Sequence, residues 1–215
     1  MFIFEGKPTL NETILASTGA MMECMNAIND RLAGIRIQGA SLAPTRESWR
    51  PPEEGWVKVN VDGAYSRGMN KRACGGLIRD SNGKFLKGFI HPLEDGDELT
   101  AELWACFIGL MTVRTLGVQQ VWLETDSTEC LDLLQMEQGG NHRDTRIITE
   151  VRKLLQMDWR TKLTYIPRSG NSAADFLAKK GLETGLGHHE ICEPSTELRV
   201  VLCSDCNGNY PIGNN

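Results

Sequence analysis

Four acidic residues stand where an acid is costly unless it is used: Asp62, Glu102, Asp126 and Asp175. Asp62 closes a strand-like stretch just before Gly63, and Asp126 ends another. Glu102 and Asp175 each lie one turn into a helix-like stretch. Two strand ends and two early helix turns can converge at one edge of a sheet. Glu102 shares its helix face with Ala105, Cys106 and Gly109, small residues that let the helix approach a sheet closely and aim the carboxyl at it. Asn171 and Asp175 are four apart and share a face near a helix N-terminus, where the dipole favours an ionised carboxylate. Crowded carboxylates repel one another, so something positive must hold them, and hard divalent cations suit oxygen ligands. Two such ions about 4 Å apart can clamp the attacking and leaving oxygens of a phosphodiester. Each acid alone reads as an ordinary turn, cap or dipole partner. Only the four together point to chemistry.

The elements that must position them follow from periodicity. Trp56–Asp62 alternates after its first residue, with Val57, Val59 and Val61 on one face and Lys58, Asn60 and Asp62 on the other, which predicts a strand. Ala73–Arg79 and Lys84–Ile90 are two more strands, joined by the turn signal Asp80-Ser81-Asn82-Gly83. Leu99–Leu116 is a helix stopped by Gly117, and Val118–Thr125 a fourth strand. Ser127–Met136, with Ser127 near its cap, and Arg143–Met157 are helices. Trp159–Ile166 is a fifth strand halted by Pro167, and Asn171–Gly181 the last helix. Three strands in hairpin succession followed by strands alternating with helices predict an α/β fold: a five-stranded mixed sheet flanked by helices.

The 215 residues carry 40% apolar and 24% charged side chains, close to globular averages. No stretch approaches the roughly 20 apolar residues of a membrane helix. The net charge of −5 argues against bulk-charge coating of nucleic acid and leaves a local basic groove open. Charge is uneven: residues 1–55 are net −2, 56–182 net +1 and 183–215 net −4. The best-patterned part is therefore 56–182. Residues 1–43 read as a helical extension (Glu12–Ala33), 44–55 as a Pro-containing linker and 183–215 as a tail. Seven irregularly spaced cysteines without a secretory leader point to a non-secreted, intracellular protein with free thiols, expected to be a monomer. Cys203-Ser204-Asp205-Cys206, with His188, His189 and Cys192 upstream, lacks a second C-x-x-C and reads as tail rather than zinc site.

The blocks V-K-V-N-V-D-G-A (57–64), C-G-G-L-I-R-D-S-N-G (74–83), T-A-E-L-W-A (100–105), V-W-L-E-T-D-S (121–127) and I-P-R-S-G-N-S-A-A-D-F-L-A-K (166–179) carry all four acids. In order and spacing they resemble the type 1 ribonuclease H domain, in the reverse-transcriptase-like version of plant retroelement-derived proteins. The resemblance spans residues 56–182. It implies a ribonuclease H-like fold and metal-dependent endonucleolytic hydrolysis of the RNA strand of RNA–DNA hybrids. It implies two Mg²⁺ ions, or Mn²⁺ in their place, held by Asp62, Glu102, Asp126 and Asp175, one activating water and the other stabilising the departing 3′ oxygen. Recognition in the family uses the RNA 2′-hydroxyl, which distinguishes RNA from DNA, and phosphate contacts on the DNA strand. Gly63, Gly75, Gly76, Ser127, Arg168 and Asn171 are candidate nucleic-acid contacts, with Asn171 also a good helix cap and the two strand glycines equally consistent with close backbone approach.

One position departs from the family pattern. Many members begin the block before the last helix with His, where this chain has Tyr165. A phenol near pKa 10 cannot replace a group that titrates near neutrality, which predicts slowed turnover with metal binding intact. Arg143, Arg146, Arg152 and Lys153 are scattered on one helix and read as its solvated face, which predicts weak hybrid affinity. The competing reading is a retroelement-derived domain that binds nucleic acid or protein with little or no catalysis. A 3′–5′ exonuclease on the same fold fits the order of the acids less well.

Overall fold

A computed structural model of the chain describes residues 48–136 and 142–205. The helical stretch read at Glu12–Ala33 lies outside them, as does Cys206. Three antiparallel strands come first: β1 (Val57–Ser66), β2 (Lys71–Arg79) and β3 (Phe85–Leu93). The β2–β3 turn forms because the Asp80 carboxylate accepts from the backbone N–H groups of Asn82 and Lys84, at 2.8 and 2.9 Å, while Gly83 takes a positive φ of 77°. Helix α1 (Glu98–Arg114) then crosses to β4 (Gln120–Thr125), which lies parallel to β1. Helices α2 (Thr128–Gln135) and α3 (Thr145–Leu155) lead to β5 (Arg160–Tyr165), parallel to β4. A 3₁₀ turn (Arg168–Gly170) enters α4 (Ser172–Gly181).

The sheet has six strands where the sequence predicted five. A short β6 (His189–Ile191) pairs antiparallel with β3, giving the order β5-β4-β1-β2-β3-β6. It is followed by α5 (Thr196–Asp205). The segment 183–205 is therefore part of the fold, not a free tail. Leu198 and Leu202, one helical turn apart, are buried with Leu77, Phe85 and Leu177. The same holds at the other end. Trp49 and Pro52, in the stretch read as a linker, are buried, and the Lys58 ammonium donates to the Arg50 carbonyl at 2.8 Å.

Strand parity puts a core on each face of the sheet. Val57, Val59, Val61, Ile78 and Leu123 face α1 and share one apolar cluster with Ile147, Ile148 and Val151 of α3, which packs on α1. Gly109 of α1 sits so tightly on β1 that a Cβ there would come within 2.9 Å of the Val61 side chain, as the small-residue face of that helix predicted. The opposite face, with Leu77 and Gly75, receives α4 and α5.

That second face also carries a buried polar network. Lys58 and Glu124 pair at 2.9 Å, and Asn60 donates to Glu124 at 3.0 Å. Arg79, fully buried, donates to Asn60 at 2.9 Å and pairs with Asp205 at 3.5 Å. Trp49 lies over the Arg79 guanidinium at 3.5 Å. Burial lowers the pKa of Lys58 despite its partner Glu124.

Gly75 and Gly76 are packed closely, the close backbone approach that glycines inside a strand suggested. A Cβ on Gly75 would lie 2.3 Å from the Ala178 amide nitrogen of α4, and one on Gly76 would lie 2.7 Å from the Phe89 ring. Both are buried. In Gly75→Ala the clash is with backbone and cannot relax through a rotamer change. Thermal unfolding of this variant is expected to fall by at least about 4 °C, corresponding to a loss of about 2 kcal/mol.

Candidate active site

Residues at three chain positions meet at one end of the central strands. β1 ends its buried run at Asp62, β4 delivers Asp126 one residue beyond its end, and the first turns of α1 bring in Glu102. Oxygen atoms of Asp62, Glu102 and Asp126 all lie within 4.8 Å of one another. Gly63 makes this possible, because a Cβ there would come within 2.6 Å of the Glu102 amide nitrogen. Its lack of a side chain lets the helix approach the strand.

Neighbouring groups fix each carboxylate. Glu102 accepts from the Thr125 hydroxyl at 3.2 Å and from the Gly63 backbone N–H. Asp126 accepts from the Asn171 amide at 3.4 Å, and the same amide nitrogen donates to the Val61 carbonyl at 2.9 Å. Asn171 is buried and makes no side-chain cap to α4. It ties the start of that helix to β1 and steadies Asp126, where the sequence suggested a cap. Ser127 does act as a cap, accepting from the Cys130 N–H at 3.2 Å at the start of α2.

Electrostatically the three acids are frustrated. Burial, then the charges of Glu102 and Asp126, push the Asp62 pKa far above the usual carboxylate range. Burial, then Asp126, push Glu102 up as well. The donor set is three hard oxygen ligands with excess negative charge, which fits a hard divalent cation of the Mg²⁺ class. Asp175 stands apart from this triad. It is half-exposed in the first turn of α4, where Lys179 donates to it at 2.7 Å, yet its charge still raises the proton affinity of Asp62.

Beside the triad opens a polar cleft of about 230 Å³, lined by Glu98, Leu99, Glu102, Asp126, Ser127 and Arg168 among others. Arg168 reaches across it, with its Nε 3.2 Å from Asp126. Tyr165 is half-exposed and pairs in register with Thr125, next to Asp126. The sequence reading missed Thr125, Glu98 and Lys179. Only Lys179 left a signal, its i+4 spacing from Asp175. Among the described residues the three carboxylates are the one cluster of His, Cys, Asp or Glu arranged to hold a metal.

A six-stranded mixed sheet with helices on both faces, and with acids within β1 and just beyond the adjacent parallel strand β4, is the ribonuclease H-like architecture. The RNase H1 of Halobacterium salinarum superposes with a TM-score of 0.55 at 26% identity, over 60% of this chain and 98% of that one. LC11-RNase H1, solved with an RNA/DNA hybrid, superposes with a TM-score of 0.51 at 18% identity, over 59% and 96%. The family model described as reverse transcriptase-like matches residues 60–181, and the chain belongs to that family. A protein of Arabidopsis thaliana named as a ribonuclease H protein is 32% identical over 161 residues, 75% of this chain. The chain spans about a quarter (26%) of that relative's length.

Proposed function

We propose that the domain is a ribonuclease H that cleaves the RNA strand of RNA–DNA hybrids with two Mg²⁺ ions, Mn²⁺ serving in their place. The observation that carries this is the buried triad of Asp62, Glu102 and Asp126 opening on a polar cleft. The Arabidopsis relative's name, the match to the halobacterial RNase H1 and the hybrid bound by LC11-RNase H1 support the same substrate. When bound, the cations supply the charge that activates a water and stabilises the departing 3′ oxygen. The chain's own residues prepare that chemistry. Asp62, Glu102 and Asp126 hold the cations, with Asp175 completing the set once it parts from Lys179. Thr125 and Asn171 orient Glu102 and Asp126 so that little reorganisation remains when substrate arrives.

The test is a hybrid labelled on each strand. RNA fragments are expected in Mg²⁺ or Mn²⁺ and none in a chelator, with the DNA strand intact throughout. Tyr165 favours a second reading, a domain that binds hybrid with little turnover. The Tyr165→His variant separates the two, because it restores a group that titrates near neutrality beside Thr125 and Asp126. Its turnover is expected to rise by about tenfold or more over the natural chain. Hybrid binding with no cleavage by either protein, in either metal, would establish the binding-only role.

A further inference from the structure

Both oxygens of Asp126 are engaged by side chains of this protein. Asn171 donates to Oδ1 at 3.4 Å, and the Arg168 Nε lies 3.2 Å from Oδ2. The two partners differ in one decisive respect. Asn171 is buried and anchored to the Val61 carbonyl, so it cannot leave without opening the junction of α4 and β1. The Arg168 side chain is 82% exposed, and it also lies 3.8 Å from Glu98 and within the field of Asp62 and Asp175. Its backbone is fixed by the 3₁₀ turn, in which the Gly170 N–H donates to the Pro167 carbonyl at 2.8 Å. A long side chain on a fixed base, held only by carboxylates at its tip, can swing out while the turn stays in place. The outer acid is arranged alike: Lys179 donates to Asp175 at 2.7 Å and is itself largely exposed.

We infer that Arg168 is an internal counter-ion of the acid cluster: it sits on Asp126 while no cation is bound and must be displaced for Asp126 to ligate one. Lys179 does the same, more weakly, for the more exposed Asp175. The inference rests on the proposed metal-dependent function, and it makes a claim of its own, that these two cations oppose metal entry. Arg168 is thereby a positioning residue with a thermodynamic signature, because removing a competing unit charge from a ligand strengthens cation binding even when no substrate is present.

Calorimetric titration of MnCl₂ into the full chain, without nucleic acid, tests this. Arg168→Gln is expected to bind Mn²⁺ roughly three- to tenfold more tightly than the natural chain, a modest change because the guanidinium is well solvated. Arg168→Lys, which keeps the charge, is expected to stay within about twofold of the natural chain, and Lys179→Gln to tighten binding by less than Arg168→Gln. Circular dichroism spectra should be unchanged for these exposed positions, with the metal-free melt of Arg168→Gln lowered slightly because Asp126 loses its counter-ion. Equal or weaker Mn²⁺ binding by Arg168→Gln overturns the counter-ion role and leaves the metal site standing. No Mn²⁺ uptake by any of the four proteins, even with hybrid added, overturns the metal-dependent function and the counter-ion role with it.

Discussion

Asp62→Asn is expected to abolish hybrid cleavage while raising the melting temperature of the metal-free protein. The activity loss should be on the order of 10³-fold, since the variant removes a charge from the centre of the cluster and leaves its neighbours in place. The stability gain has an electrostatic origin. At 4.8 Å and an effective dielectric of about 20, two ionised carboxylates repel by about 3.5 kcal/mol. Part of that is already relieved at neutral pH, because burial and the adjacent acids push Asp62 up to about 10 and Glu102 up to about 8. Keeping on Asp62 a proton that the unfolded chain releases costs free energy that Asn does not incur, and a gain of about 1 kcal/mol corresponds to a rise of about 2–4 °C.

The pH dependence has a definite sign. Asp62 and Glu102 hold protons more tightly in the folded chain than in the unfolded one, where carboxylates titrate near pH 4. Their favourable contribution is complete below about pH 4 and is lost as pH rises through the folded values. The metal-free natural chain should therefore lose stability across the neutral range, and Asp62→Asn should lose less. Saturating Mg²⁺ should reverse the ranking, since the natural chain then gains binding free energy that the variant lacks. Scanning calorimetry at about pH 6 and pH 8, with and without Mg²⁺, reads all four conditions. A variant that melts lower than the natural chain without metal would show that Asp62 is structural and not a strained ligand.

The acidic end of the fold was more legible in the sequence than its flanks, for a physical reason. Asp62 closes a run whose period of two is unbroken and Asp126 follows β4 directly, so both could be placed on the strands, although β1 continues past Asp62 to Ser66. Glu102 could be placed against the sheet because Ala105, Cys106 and Gly109 mark the close side of α1, and Gly109 does lie on Val59 and Val61. Alternation misled at Lys58 and Asn60. A strand with Val on one face and Lys, Asn and Asp on the other looks half-solvated, yet this polar face is buried. What covers it comes from distant parts of the chain: Trp49 from a proline-rich stretch, and α5 from the most acidic segment. Neither stretch has a long periodic pattern, and their burial depends on tertiary partners: Trp49 meets Arg79 of β2, and α5 meets the same residue across a sequence separation of 126. The mutual hold of Thr125 and Glu102 is likewise a tertiary fact with no local signal.

That covered polar face supports the second large effect. Arg79→Met is expected to destabilise the domain by about 3–5 kcal/mol, read as a shift in the urea midpoint. The variant keeps much of the apolar stem but removes the donor to Asn60, the partner of Asp205 and the cation beneath Trp49. Two segments added at opposite ends of the core, 48–55 and α5, lose a shared anchor at once. Asp205 supplies a pH signature that a simple packing defect would lack. Its burial outweighs the Arg79 charge and pushes its pKa up to about 6. Being raised above the unfolded value near 4, it favours folding most below about pH 4, and that contribution fades as pH rises through about 6. Without Arg79, Asp205 should hold its proton more tightly still, so the penalty of Arg79→Met should grow between about pH 5 and pH 7.5. Adding Asp205→Leu to Arg79→Met removes the orphaned acid and should recover part of the loss, most visibly at the higher pH. A loss under about 1 kcal/mol, or one unchanged between the two pH values, would mean that α5 and Trp49 dock by apolar contact alone.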